Sequence, residues 1–210
     1  MIMHGSDPKQ RIVEVARLMF QRFLTNTAGG NISVRQGERI YITPKYAGSR
    51  YLWDLRPEQI NVLNLAHEVI EGPGDISRES KLHFAVYDHF PEAGAVIHAH
   101  PLFATVFAVA EKPILPTAEY TKKFGVIGLV PPLPAHSQEL ADAVVDALAP
   151  QREKLTKHGL ALLLAKHGVV TVGRSLEDAF DTLERMEWSA HVLLMARLVP
   201  IPEPAGSLSS

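Results

Sequence analysis

The chain has no cysteine. Disulfides, cysteine-ligated metals and thiol nucleophiles are therefore excluded. Long apolar runs are also missing. The most apolar stretches, such as 159–165 (GLALLLA), fall far short of the ~20 residues that a bilayer span requires. Neither sign of charge is in excess: Lys and Arg number 21 against 23 Asp and Glu, for a net charge of −2. No general attraction to nucleic acid or to an anionic membrane follows. Residues 1–10 lack the apolar core of a signal peptide, so a cytoplasmic protein is expected. There is no GxxxxGKS/T loop and no convincing GxGxxG, so nucleotide use is not indicated.

What remains is an ordinary globular composition: 210 residues, 46% hydrophobic and 21% charged, with ten histidines. This length fits a single domain, expected over 1–200, with 201–210 (IPEPAGSLSS) as a flexible tail. Ile12, Val15, Ala16, Met19, Phe20 and Phe23 recur at helical spacing and predict a helix over 8–24. Alternating residues around 35–38 predict a hairpin from 32–34 and 39–43, and a second pair of strands fits 60–65 and 67–70. The stretch 44–54 is expected to be a loop. Ser77 is expected to cap a helix over 78–90, and Ser137 one over 138–149. Strands are expected at 95–100, 159–166 and 169–172, shorter ones at 114–116 and 125–130, and helices at 102–110 and 176–198. Strands that alternate with helices, together with hairpins, predict a three-layer α/β domain. Its central sheet should be mainly antiparallel or mixed, flanked by helices.

His98 and His100 occupy alternate positions of a predicted strand, so both rings leave the same face. Two such imidazoles can converge on one ion at ~2 Å. A third ligand is required. His83, His89, His136, His158 and His167 are the candidates, and His167 is favoured because it ends an apolar strand at a glycine turn. Glu79, early in its helix, is a candidate acid–base group. Asn26, Thr27, Gly29, Gly30 and Asn31, with Thr43, Lys45, Ser77 and Arg78, offer small donors and cations suited to a phosphate or carboxylate. Lys81, Lys122, Lys123 and Lys166 have no evident desolvating setting for Schiff-base chemistry.

In order, the segments 27–34 (TAGGNISV), 42–44 (ITP), 76–79 (ISRE), 95–101 (AVIHAHP) and 165–168 (AKHG) resemble the class II aldolase/adducin family, and most of all its zinc-dependent sugar-phosphate aldolases. The resemblance spans about residues 10–198. It implies zinc on His98, His100 and His167, with Mn, Fe or Co as alternatives. It also implies Glu79 as the catalytic carboxylate and Tyr120 as the group serving the aldehyde oxygen, in a reaction through a metal-stabilised enediolate. Thr27, Asn31, Thr43 and Ser77 fall on its phosphate site, and a homotetramer with active sites at subunit boundaries is implied as well. The chain departs from the family pattern at Gly29–Gly30, which carries an added glycine, and at Lys45 and Arg78. These departures leave open a carboxylate-bearing substrate, and so a decarboxylase or dehydratase. A noncatalytic adducin-like assembly module is the remaining alternative. The expected partner is a small anionic molecule, not nucleic acid or a membrane.

Overall fold

The computed structural model describes residues 7–200; the expected tail at 201–210 lies outside them. Helix α1 (Pro8–Gln21) starts where Asp7 accepts from the Lys9 N–H at 3.0 Å, with Pro8 in the first turn, where its missing donor costs nothing. The strands β1 (Asn31–Gln36) and β2 (Arg39–Ile42) form the predicted hairpin. The segment expected to be loop at 44–54 contains a short helix, α2 (Ala47–Tyr51). A tertiary anchor explains the difference. Trp53 is fully buried and donates its Nε1–H to the Asn26 carbonyl at 2.8 Å, tying this segment to the glycine loop.

The strands β3 (Asn61–Asn64) and β4 (Val69–Glu71) follow. Helix α3 (Ser80–His89) begins later than expected, with Glu79 and not Ser77 at its cap. Ser77 instead accepts the Glu79 N–H on its hydroxyl at 3.3 Å and the Ser80 N–H on its carbonyl at 3.1 Å, forming a turn ahead of the helix. Next come β5 (Ala95–Ala99) and α4 (Leu102–Ala110). The short strands expected at 114–116 and 125–130 reduce to a single Ile114–Ile127 bridge and a two-residue β6 (Leu129–Val130). Ser137 caps α5 (Gln138–Leu148) by accepting the Leu140 N–H at 3.0 Å. The strands β7 (Leu160–Leu164) and β8 (Gly168–Gly173) precede the long α6 (Leu176–Ala196).

The eight strands form one sheet in the order β4-β3-β2-β1-β5-β8-β7-β6. Every pairing is antiparallel except β6 with β7. Strand alternation then divides the core. Ile97, Leu163 and Val169 pack with α1, α4 and α6 on one face. Val96, Leu162 and Val170 pack with α3 and α5 on the other. This is the expected three-layer arrangement. Among the described residues, no helix is long and apolar enough to cross a membrane.

Candidate metal and acid–base centre

His98 lies on the α3/α5 face at the end of β5, and His100 follows just beyond the strand. β5 pairs with β8 so that Ala99 faces Val169, which places the turn before Gly168 beside His100. His167 is in that turn. The sheet register therefore brings together imidazoles that are far apart in sequence. Ring centroids are 5.0 Å apart for His98 and His100, 4.7 Å for His98 and His167, and 5.3 Å for His100 and His167. One ligand atom from each ring lies within 4.8 Å of the others.

Close packing requires glycine at this junction. A Cβ on Gly168 would stand 2.5 Å from both the Ala99 carbonyl oxygen and His100 Cδ2. Gly30, at φ 111°, is the second case: its Cβ would lie 2.9 Å from the His98 carbonyl oxygen.

The donor set fits a cation. His98 Nδ1 lies 2.9 Å from the Val169 carbonyl oxygen, which can only accept, so this nitrogen carries the proton. Nε2 is then the free ligand atom. The buried Nε2 atom of His100 has no hydrogen-bond partner among the described residues, and that of His98 faces the Glu79 carboxylate, so both are placed to ligate an ion. Two of the three rings are kept neutral. Burial, and next the neighbouring His98, pull His100 down to about 3, and burial also lowers His167. Burial opposes protonation of His98 too, but the Glu79 carboxylate outweighs it and raises that ring.

Glu79 comes from the cap of α3 and is almost fully buried. Its Oε2 lies 2.7 Å from His98 Nε2, and its Oε1 lies 3.4 Å from His167 Nε2 and 3.2 Å from His136 Nδ1. Burial alone would raise this carboxyl, but His98 first and then His167 and His136 hold it down to about 2. His136 was only one of several third-ligand candidates in the sequence, yet it reaches the carboxylate. It sits at φ 68° just before the α5 cap, and that left-handed turn aims its ring inward. The proline-rich run at 131–134 followed by a capping serine was the available signal.

The other candidates are elsewhere. His89 Nδ1 bonds the Ala85 carbonyl oxygen at 2.9 Å. His158 is buried against Phe124. His83 is fully buried in a polar network.

A cavity of about 250 Å³ opens over the triad and is also lined by Thr27, Gly30, Asn31, Lys45, Ser77 and Arg78. These are most of the predicted anion-binding residues. Three predicted residues do not line it. Thr43 is fully buried and its hydroxyl accepts the Ile32 N–H at 3.1 Å, while Asn26 turns its Oδ1 back to the Ala28 N–H at 2.9 Å. Tyr120 stands 43% exposed on a 3₁₀ turn (Glu119–Phe124).

Residues 10–194 match the class II aldolase and adducin N-terminal domain. The chain belongs to that family. An L-fuculose phosphate aldolase of Methanococcus vannielii is 31% identical over 85% of this chain and 91% of its own. A 3-oxo-tetronate 4-phosphate decarboxylase of Haemophilus influenzae is 31% identical over 87% of this chain and 84% of its own. The structure of an L-fuculose-1-phosphate aldolase from Thermus thermophilus superposes with a TM-score of 0.77 at 26% identity, covering 92% of this chain and 97% of that one. Membership of the class II aldolase family and the imidazole triad together support a metal-dependent lyase that acts on a small molecule.

Proposed function

We propose that the chain is a zinc-dependent class II aldolase that cleaves a small phosphorylated ketose, working as a cytoplasmic homotetramer. The observation that carries this reading is the buried Glu79 carboxylate set beside three imidazoles whose ligand atoms lie within 4.8 Å of one another. An all-imidazole donor set suits zinc, and it also accepts Mn, Fe or Co. When bound, the ion supplies a Lewis acid that polarises a carbonyl and steadies the negative charge developing beside it.

Glu79 moves the proton at the carbon whose C–C bond is made or broken. Its ionised state suits it to removing that proton in the condensation direction, and the same group returns it in cleavage. Asn31, Ser77 and Thr27 hold the remote anion by hydrogen bonds, and Lys45 and Arg78 by charge. Tyr120 serves the oxygen of the aldehyde fragment. It stands outside the cavity of its own chain, so this reading has it act across a subunit boundary.

The test compares metal-stripped protein, reloaded protein and Glu79→Gln in a screen that reports aldehyde, carbon dioxide and dehydration products separately. Aldehyde release that needs both metal and Glu79 supports the reading. Cleavage unchanged in either protein rejects it.

A decarboxylase is the second reading. It is favoured by the Haemophilus influenzae relative and by the cations Lys45 and Arg78 on the cavity wall. Carbon dioxide without aldehyde would select it.

A further inference from the structure

We propose that His83 is a positioning residue: it fixes the Asn31 amide so that the Ser77 hydroxyl presents its proton, not its lone pairs, to the cavity. The proposal rests on the reading of that cavity as an anion site and deepens it.

His83 is fully buried on α3, one helical turn past Glu79, and its ring bridges two residues of β1. Its Nε2 contacts Asn31 Oδ1, and its Nδ1 lies 2.7 Å from Ser33 Oγ. Ser33 Oγ lies 2.7 Å from the Tyr87 hydroxyl. At the other end, Asn31 Nδ2 donates to Ser77 Oγ at 2.7 Å, and the Glu79 N–H donates to the same oxygen at 3.3 Å. These groups form one chain of hydrogen bonds running from the core to the cavity wall.

A neutral imidazole has one N–H, so the chain has only two self-consistent polarities. In one, Tyr87 donates to Ser33, Ser33 to His83 Nδ1, His83 Nε2–H to Asn31 Oδ1, and Asn31 Nδ2 to Ser77. Ser77 then accepts twice, and its proton is left for the cavity. In the other, every bond reverses, the Asn31 amide flips, and Ser77 spends its proton on Asn31.

Tyr87 decides between them. Its ring is buried, and the groups within hydrogen-bond reach of its hydroxyl among the described residues are Ser33 Oγ and the Val96 N–H, which can only donate. The Arg35 guanidinium over the ring, 5.0 Å from its centroid, offers only donors. The reversed polarity would therefore strand a buried hydroxyl proton without an acceptor, either that of Tyr87 or, if Ser33 accepts from both neighbours, that of Ser33, which folded proteins avoid. Burial keeps both ends neutral, as either polarity requires: it raises the Tyr87 hydroxyl far above its ordinary range, and it pulls His83 down to about 3. The cavity thus gains a hydroxyl that can only donate, beside Lys45 and Arg78. An anion satisfies it, whereas a ligand group that only donates does not.

Two measurements test the proposal. The first is the ¹⁵N spectrum of the unmodified protein near neutral pH, in which His83 should appear as the neutral Nε2–H tautomer. An Nδ1–H tautomer or an imidazolium would overturn the proposal. The second is calorimetric titration of metal-loaded protein with inorganic phosphate. His83→Leu should weaken phosphate about tenfold or more, the scale of a hydrogen bond to a charged group. His83→Gln, which can still donate to Asn31, should hold it near the parent value. In a Ser77→Ala background His83→Leu should have no further effect, a dependence that general loosening of the site would not show. Equal losses in both backgrounds, or none in either, would overturn the assignment. Phosphate that fails to bind the parent protein would remove the anion reading beneath it. A carbon dioxide product in place of an aldehyde would remove the aldolase reading alone, because the titration does not depend on which bond is cleaved.

Discussion

The Glu79 carboxylate keeps its charge in a buried place because three imidazoles surround it. Replacement by Gln preserves shape and removes the charge and, with it, the proton shuttle that the proposed reaction assigns to this group. Glu79→Gln should lower kcat by ~10²–10⁴-fold while His98, His100 and His167 retain their metal, checked by steady-state kinetics and metal analysis. His83 gives a pH prediction of known sign. Its folded pKa, about 3, lies below its ordinary value of 6.5. Between those values the unfolded chain binds the extra proton, so stability is complete above about pH 6.5 and is lost as pH falls toward 3. The ring contributes a slope of up to about 1.4 kcal/mol per pH unit. Urea unfolding followed from pH 6 to pH 4 should show this slope, and His83→Gln should reduce it. Neither His83 nor His136 could be assigned from its neighbours in sequence. A histidine on a helix or in a loop has the same letters around it whether its ring faces water or a buried carboxylate. The His98/His100 pair was legible because strand alternation alone puts both rings on one face.

At the scale of elements, α4 begins two residues after His100, where β5, α4 and α6 meet. α4 has Pro101 at its cap and no side-chain cap of its own. Glu187 of α6 substitutes for one: its two carboxylate oxygens accept the Phe103 and Ala104 N–H groups, each at 2.7 Å. Burial raises the carboxyl, and the donated N–H bonds from Phe103 and Ala104 only partly offset this. Glu187→Ala would leave first-turn donors of α4 without their acceptor, at a cost of about 2–4 kcal/mol. Thermal unfolding of this variant should move down by roughly 4–16 °C. Gly168→Ala acts on the same junction from the β8 side. Its Cβ would overlap the Ala99 carbonyl and the His100 ring, so reduced metal affinity with a retained circular-dichroism spectrum is expected. Most elements were legible from periodicity. The exceptions were α2, which depends on the buried Trp53, and the start of α3, where Ser77 bonds to Asn31 across the fold instead of capping.

For the whole molecule, a metal that binds only the folded chain must stabilise it by mass action. Stripped protein should unfold at lower temperature than reloaded protein, by about 2.7 kcal/mol when free metal is a hundred times Kd. His167→Ala should abolish the difference, as read by a thermal melt with and without zinc. If Tyr120 acts across a subunit boundary, the native mass in sedimentation should be four times that of one chain. Mixing inactive Glu79→Gln with inactive Tyr120→Phe chains should then restore some aldehyde release, because mixed assemblies contain boundaries intact on both sides. A monomer of full activity would remove that part of the reading.

The sequence by itself determined the layer architecture, the placing of His98 and His100 on one side at the end of β5 and the order of the motifs, because each is carried by a local period or a short contiguous run. Only the tertiary structure decided what depends on distant segments meeting. The β5–β8 register set His167 beside His100, and α3 carried Glu79 and His83 under β1. The loop before α5 turned His136 inward, and the cavity left Thr43, Asn26 and Tyr120 off its wall. Those outcomes depend on burial and on the direction of hydrogen bonds. Neither is a property of a residue or its neighbours in the chain.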